Sequence, residues 1–313
     1  MKIILNIIIV VLVIILGLVL GMPLYRISQP SQIKIVCEPT VSSLPLFVAE
    51  KYGVFKERKV APEITLEESP EKMLEMLKKG EADVIVVPWI DAIKWMADNK
   101  DTLRCFFSVE FKPSAPCDGI ITRKKFRLFR DLNKRKIATS PLYMLTLKTM
   151  TLSGGIEVQF VPVPFKDAEK ALKENDAVLL VDPYFSYLRP KANIFESPAM
   201  AKWITAPFPG SGYFVKQEYF EKNKLALIRL KEALDIAFIY MQRDKDTARV
   251  IVTQKLGVPK EVADSIRLPN YMRVHEIEKM SIQILADRLY GYGVVKEKVD
   301  MGPVIIPVAE LRR

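Results

Sequence analysis

Ala82–Val87 (ADVIVV) is a short, continuous apolar run that follows the glycine stop Gly80 and leads toward another apolar segment. A strand of that kind needs cover on both faces, as in a parallel sheet flanked by helices. This requirement constrains the fold more than any other feature of the chain, and the neighbouring segments meet it. Gln32–Cys37 (QIKIVC) alternates and stops before Pro39, as a strand does. Leu44–Lys51 (LPLFVAEK) reads as a helix ended by Gly53, and Glu63–Leu66 as a second strand. Ser69-Pro70 pairs a capping residue with a proline at the first helical position. The helix Pro70–Lys79 then sets Met73, Leu74 and Leu77 on one face and stops at Gly80. A further helix is expected over Ile90–Ala97. The order strand–helix, three times over, is that of a doubly wound α/β sheet.

The pattern restarts downstream. Lys136–Thr139 reads as a strand, Ser140-Pro141 as the cap of a helix over Leu142–Thr151, and Val158–Val163 as a strand. Lys166–Lys173 reads as a helix, Ala177–Val181 as a strand, and Asp182-Pro183 as another capped helix start. From Lys224 the chain is mainly helical, with amphipathic pieces at Leu225–Arg243 and His275–Tyr290, the latter stopped by Gly291 and Gly293. Two α/β halves and a helical C-terminal part are therefore expected, joined near Cys117–Thr122 and near Gly210–Lys216.

Several chemistries are disfavoured. The formal net charge is +10, but only Arg123–Arg135 (RKKFRLFRDLNKR) is densely basic, and it carries Asp131. A nucleic-acid partner would want such charge on one face with interleaved aromatics. The run reads instead as a solvated connection, and no nucleic-acid partner is expected. Cys37, Cys105 and Cys117 show no metal-binding spacing, so no metal site is indicated. Cys105 and Cys117 either pair in an oxidising compartment or stay free and buried. His275 is the only histidine, and neither a Ser/His/Asp set nor a phosphate-binding loop is present. No catalytic residue and no cofactor are expected.

Ile3–Leu20 is an 18-residue run interrupted only by Asn6 and Gly17. As a helix it would reach roughly 27 Å, close to the hydrocarbon thickness of a bilayer. It ends in Leu20-Gly21-Met22-Pro23, with no small-x-small cleavage site and no following lipid-acceptor cysteine. Residues 1–25 are therefore expected to be an uncleaved transmembrane anchor rather than a signal peptide.

Five segments, in order, resemble the sulfonate, nitrate and thiamine-precursor binding-protein family of ABC importers. They are Leu44–Phe55 (LPLFVAEKYGVF), Gly80–Asp83 (GEAD), Asp131–Ile137 (DLNKRKI), Ala168–Tyr184 (AEKALKENDAVLLVDPY) and Phe214–Phe220 (FVKQEYF). In the third, Asn133 stands where the family has glycine. The resemblance spans about residues 33–295. It implies a type II periplasmic-binding fold: a first lobe over 31–116 and 212–313, and a second lobe over 117–211 inserted into it. It also implies a hinged clamp without chemistry that captures a small solute and docks on a permease and its ATPase. A monomer on the extracytoplasmic side of the membrane is the expected form.

In open parallel sheets, ligands bind beyond the carboxyl ends of the strands. Four segments occupy such positions, two in each half, and their candidates are Thr40, Ser42 and Ser43, then Trp89, then Ser140 and Tyr143, then Asp182 and Tyr184. Ser42, Ser43 and Ser140 precede helices, where a hydroxyl and free N–H groups suit an anion or simply cap the helix. Trp89 either stacks on a ligand or packs in the core. Asp182 either binds an amine or caps the helix after it. Together they suggest a small anionic or zwitterionic solute. The alternatives are a membrane-tethered ligand sensor and a biosynthetic enzyme on the same fold. The lack of a histidine within the strand-end segments disfavours the enzyme.

Overall fold

The computed structural model describes residues 29–311 of the chain. The apolar run Ile3–Leu20 lies outside the described residues. Among the described residues, no helix is long and apolar enough to cross a membrane.

The first sheet holds β1 (Ser31–Cys37), β2 (Val60–Leu66), β3 (Val84–Pro88), β4 (Leu103–Phe111), β10 (Phe208–Lys216) and β11 (Asn270–Arg273), in the order β11-β4-β10-β3-β1-β2. The second holds β5 (Asp118–Thr122), β6 (Lys136–Thr139), β7 (Gln159–Pro162), β8 (Ala177–Val181) and β9 (Asn193–Glu196), in the order β7-β6-β8-β5-β9. Both repeat one plan. β2-β1-β3 and β7-β6-β8 are parallel trios, and each trio is extended by an antiparallel strand, β10 or β5. Each of these antiparallel strands comes directly after the chain has crossed from the other sheet.

This corrects the expected joints. Cys117–Thr122 and Gly210–Lys216 are largely the strands β5 and β10 themselves, and the crossings lie before them, between Phe111 and Asp118 and between Trp203 and Phe208. The division expected at 211/212 falls inside β10. The reason is the composition of β10, whose FPGSGYFVK carries a proline and two glycines and so breaks the strand pattern. The two glycines make room for rings: a Cβ on Gly210 would lie 2.9 Å from Phe111, and one on Gly212 would lie 2.5 Å from Phe214.

Where apolar periodicity is strong, expectation and structure coincide. Helices run over Leu44–Lys51 and Pro70–Lys79, the second capped by Ser69 Oγ and ended by Gly80 at φ +75°. The amphipathic helix Lys224–Arg243 packs on Leu44–Lys51, burying Leu227, Leu230, Leu234 and Ala237. The last helix is shorter than expected, Lys279–Gly291. His275 instead sits in a turn closed by Glu276, whose N–H donates to Arg273 O and whose carboxylate accepts from Arg273 N. All three cysteines are free and buried. The basic run after β5 is exposed except for half-buried Phe126 and buried Phe129 and Leu132, which anchor it to the second sheet's core.

Candidate functional site

Parallel strands in both sheets end at the same junction, and their terminal residues touch across it. Glu38, one residue past β1, is fully buried at its centre. Its Oε1 accepts from Thr40 Oγ1 at 2.7 Å, from Ser211 Oγ on β10 at 2.8 Å, and at 3.5 Å from Tyr143 Oη in the second lobe. Its Oε2 has no hydrogen-bond partner. Burial raises the Glu38 carboxyl above its usual range, and the surrounding hydroxyls only partly offset this.

Glu68, two residues past β2, makes a second bridge. Its Oε2 accepts from Ser140 Oγ at 2.7 Å and from Phe165 N at 2.9 Å, both in the second lobe. Asp182, one residue past β8, makes a third. Its carbonyl accepts from Val41 N at 3.1 Å, and its Oδ2 accepts from Arg267 N at 2.8 Å. Its Oδ1 accepts from Ser186 N at 2.8 Å, closing the first turn of the helix Tyr184–Leu188. Desolvation pushes the Asp182 carboxyl up to about 7. Asp118, at the start of β5, is likewise pushed up to about 6 by burial, while its Oδ2 accepts from Ala199 N and Met200 N.

The structure thus brings together seven of the eight candidates, with modified roles. Thr40 is the cap of the turn Val41–Ser43, accepting from Ser42 N at 3.1 Å. Ser42 and Ser43, read as caps, lie inside that turn. Ser42 Oγ meets Ser211 Oγ at 3.2 Å, and Ser43 Oγ donates to Glu38 O at 2.6 Å. Ser140 caps its own turn and donates to Glu68. Tyr143 reaches Glu38, and Tyr184 stacks on Phe165 with ring centroids 4.4 Å apart. Asp182, one residue before the N-cap Pro183, accepts from Ser186 N in the helix's first turn and also joins the lobes. Trp89 is the exception. It is fully buried, its indole N–H donates to Ser108 Oγ at 2.9 Å, and Phe214 lies edge-on to its ring, so it packs in the first lobe's core.

The strand-end reasoning missed the acids Glu38, Glu68, Asp91 and Asp118. Glu38 carried a readable signal, a charged residue directly after a buried strand. Glu68 and Asp91 resembled ordinary acids of a helix start, and only tertiary packing shows that Glu68 reaches the other lobe and that Asp91 is enclosed. Asp91, on the helix Trp89–Asn99, is 7 % exposed with Oδ2 unpartnered, and burial raises its carboxyl well above the usual range. Among the described residues, no group of His, Cys, Asp and Glu side chains is arranged to hold a metal ion.

Solved structures share this architecture. The aliphatic sulphonate binding protein SsuA of Escherichia coli superposes with a TM-score of 0.69 at 19% identity, over 89% of this chain and 93% of that one. The chain has the two-lobed periplasmic-binding fold. The alkanesulfonate-binding SsuA of Xanthomonas axonopodis pv. citri, bound to MOPS, gives 0.71 at 17% identity, over 89% and 99% of the two chains. The nitrate-binding NrtA of Synechocystis PCC 6803 gives 0.64 at 13% identity, over 90% and 91%. These neighbours include the sulfonate- and nitrate-binding proteins that the sequence motifs resemble. By sequence alone, no family model and no curated protein matches the chain. Glu38, Glu68 and Asp182 meet their partners where the two lobes touch.

Proposed function

We propose that this protein is the extracytoplasmic solute-binding component of an ABC importer, held to its membrane by Ile3–Leu20. The observation that carries the reading is the bridge Glu68–Ser140/Phe165. Polar groups from both lobes, each placed at a strand end, are matched across the cleft at hydrogen-bond distance. A two-lobed enzyme would need a proton-transfer or nucleophilic set in that cleft. The residues found there are carboxyls, hydroxyls and phenols engaged with one another, and His275 lies in an exposed turn. The solute is small and polar, enclosed between the lobe built on the first sheet, which includes β10, and the lobe built on the second. The permease and ATPase are the partners that a closed clamp of this kind would dock on, and the clamp acts as a monomer. A panel of small polar solutes screened by thermal shift, followed by small-angle scattering with each hit, tests the reading. A hit should raise the melting temperature by mass action and fix the compact form. A ligand that binds with no change in either quantity, or at one lobe alone, refutes the clamp mechanism.

A further inference from the structure

Residues 123–136, which connect β5 to β6, include eight basic residues and one acid, Asp131. All eight basic side chains are exposed. Elsewhere in the second lobe, Lys170 pairs with Glu174, Lys173 and Lys191 with Glu169, and Lys202 with Glu196; among the described residues, none of the eight has such a partner. The one acid is engaged by backbone: Asp131 Oδ2 accepts from Arg127 N at 3.0 Å and from Leu128 N at 2.9 Å. Those bonds fold the run into a turn that buries Phe129 and Leu132 and leaves Leu128 48 % exposed between Arg127 and Arg130. The Arg135 guanidinium lies 5.9 Å from the Phe126 ring centre, which brings the end of the run back to its beginning. The strands fix where this loop sits. Asp118 faces Val181 at one end of β5, and Thr122 faces Ala177 at the other, roughly 13 Å away at strand spacing. Lys136 opens β6, whose opposite end leads to Ser140 at the lobe contact. Both ends of the run therefore leave the second sheet at the pole remote from the first lobe, where a partner covers none of the contacts between lobes.

We propose that this basic pole of the second lobe docks on a bilayer surface carrying anionic headgroups, with Leu128 entering the headgroup region. Unpaired cations spread over an open loop suit a smeared negative surface, to which each basic residue adds attraction. An exposed leucine among them is apolar area that the boundary between headgroups and acyl chains accepts and water does not. Nucleic acid fits less well, because the aromatics of the run are not free to stack on bases: Phe126 is half-buried and Phe129 is buried. The choice of a membrane over an acidic protein rests on the reading that Ile3–Leu20 holds the chain at a bilayer. A tethered domain meets that bilayer at high effective concentration, so an attraction too weak for free protein is enough. Docking at this pole would fix how the second lobe is oriented on the membrane, and salt would release it.

The native cysteines are free and buried, so Leu128→Cys offers one reactive thiol for an environment-sensitive fluorophore. The labelled full chain is reconstituted into vesicles of phosphatidylcholine alone and of phosphatidylcholine mixed with phosphatidylglycerol. The dye should shift to the blue in the mixed vesicles only, and high salt should abolish the shift. Met280→Cys, at a side chain 70 % exposed in the first lobe, is the control and should report water in both. Lys124→Gln, Arg127→Gln and Arg130→Gln together should lower the ratio of docked to free loop by about a hundredfold, from about fivefold each. The triple variant should melt with the parent, because all three side chains are exposed. A shift equal in the two lipids, a shift kept by the triple variant, or an equal shift at position 280 overturns the proposal. A shift produced by soluble polyglutamate and not by anionic vesicles assigns the pole to an acidic protein and overturns it as well. A chain that does not enter phosphatidylcholine vesicles overturns the anchor reading by itself. Pelleting of that chain with the mixed vesicles then supports the basic pole, and its remaining in the supernatant overturns both.

Discussion

Replacing Glu68 with alanine tests closure directly. One oxygen of Glu68 takes two hydrogen bonds from the opposite lobe, from Ser140 Oγ at 2.7 Å and Phe165 N at 2.9 Å. Hydrogen bonds to charged groups contribute about 1.5–3 kcal/mol each, and a half-buried carboxylate belongs at the lower end. The two together bias the lobes toward the closed form by about 3 kcal/mol, or roughly a hundredfold in the closed-to-open ratio. Glu68→Ala removes this bias and leaves Ser140 and Phe165 N without their partner in the closed form. Small-angle scattering of the ligand-free protein should show a larger radius of gyration for the variant. Affinity for any solute that needs closure should fall in proportion to the closed population. Glu67→Gln is the matched control, because the Glu67 carboxylate serves its own lobe only, accepting from Glu68 N and Ser69 N and pairing with Lys72. Ser140→Ala alone should give a smaller opening, and combining it with Glu68→Ala should add less than its separate effect. Unchanged scattering and unchanged affinity in Glu68→Ala would refute the argument that these bonds set the clamp.

Other outcomes follow from particular groups. The Asp182 and Asp118 carboxyls are raised to about 7 and about 6 by burial, so the folded state holds protons that the unfolded chain has already released. Their effect on stability is favourable below about pH 4 and is lost as pH rises toward 7, by at most roughly 4 kcal/mol for Asp182. Urea denaturation at pH 5 and pH 8 should show the lower stability at pH 8, and Asp182→Asn should flatten that difference; a parent slope of opposite sign defeats the assignment. Cys37 and Cys105 are pushed up to about 12 and Cys117 is raised further, all by burial. A thiol reagent should therefore titrate no cysteine in the native protein and all three after denaturation, while a count of one would mean that two have paired. A Cβ on Gly119 would lie 2.4 Å from the Phe185 ring and 2.9 Å from Glu196 O, so Gly119→Ala should destabilise the second lobe by about 1–3 kcal/mol, read from the melting curve. A wild-type melting temperature in that variant would mean that the ring moves aside freely.

The local elements were legible because local physics decides them. Pro70–Lys79 has its cap, its proline, its apolar face and its left-handed glycine within a dozen residues. Ala177–Val181 and Lys136–Thr139 lie where short apolar runs place them. The alternation of strands with helices and the order of the motifs were enough to reach a two-lobed α/β fold. The rule that ligands sit beyond strand ends placed Thr40, Ser42, Ser43, Ser140, Tyr143, Asp182 and Tyr184 at one junction. Other features depend on contacts between residues far apart in the chain, which no window of sequence contains. β10 is a strand because β3 and β4 flank it, although its own proline and glycines argue against one. Trp89 is core because Ser108, nineteen residues away, accepts its N–H. Whether an acid beside a strand is solvated or enclosed also depends on what the fold brings over it. Glu38 meets Ser211 from the first lobe's return strand and Tyr143 from the second lobe, and only that convergence turns a charged residue after a strand into a buried carboxyl with one oxygen unmatched. The sequence by itself determined the elements and their order, because these depend on neighbours along the chain. The tertiary structure decided the chemical character of the cleft, because burial and partners there come from opposite lobes.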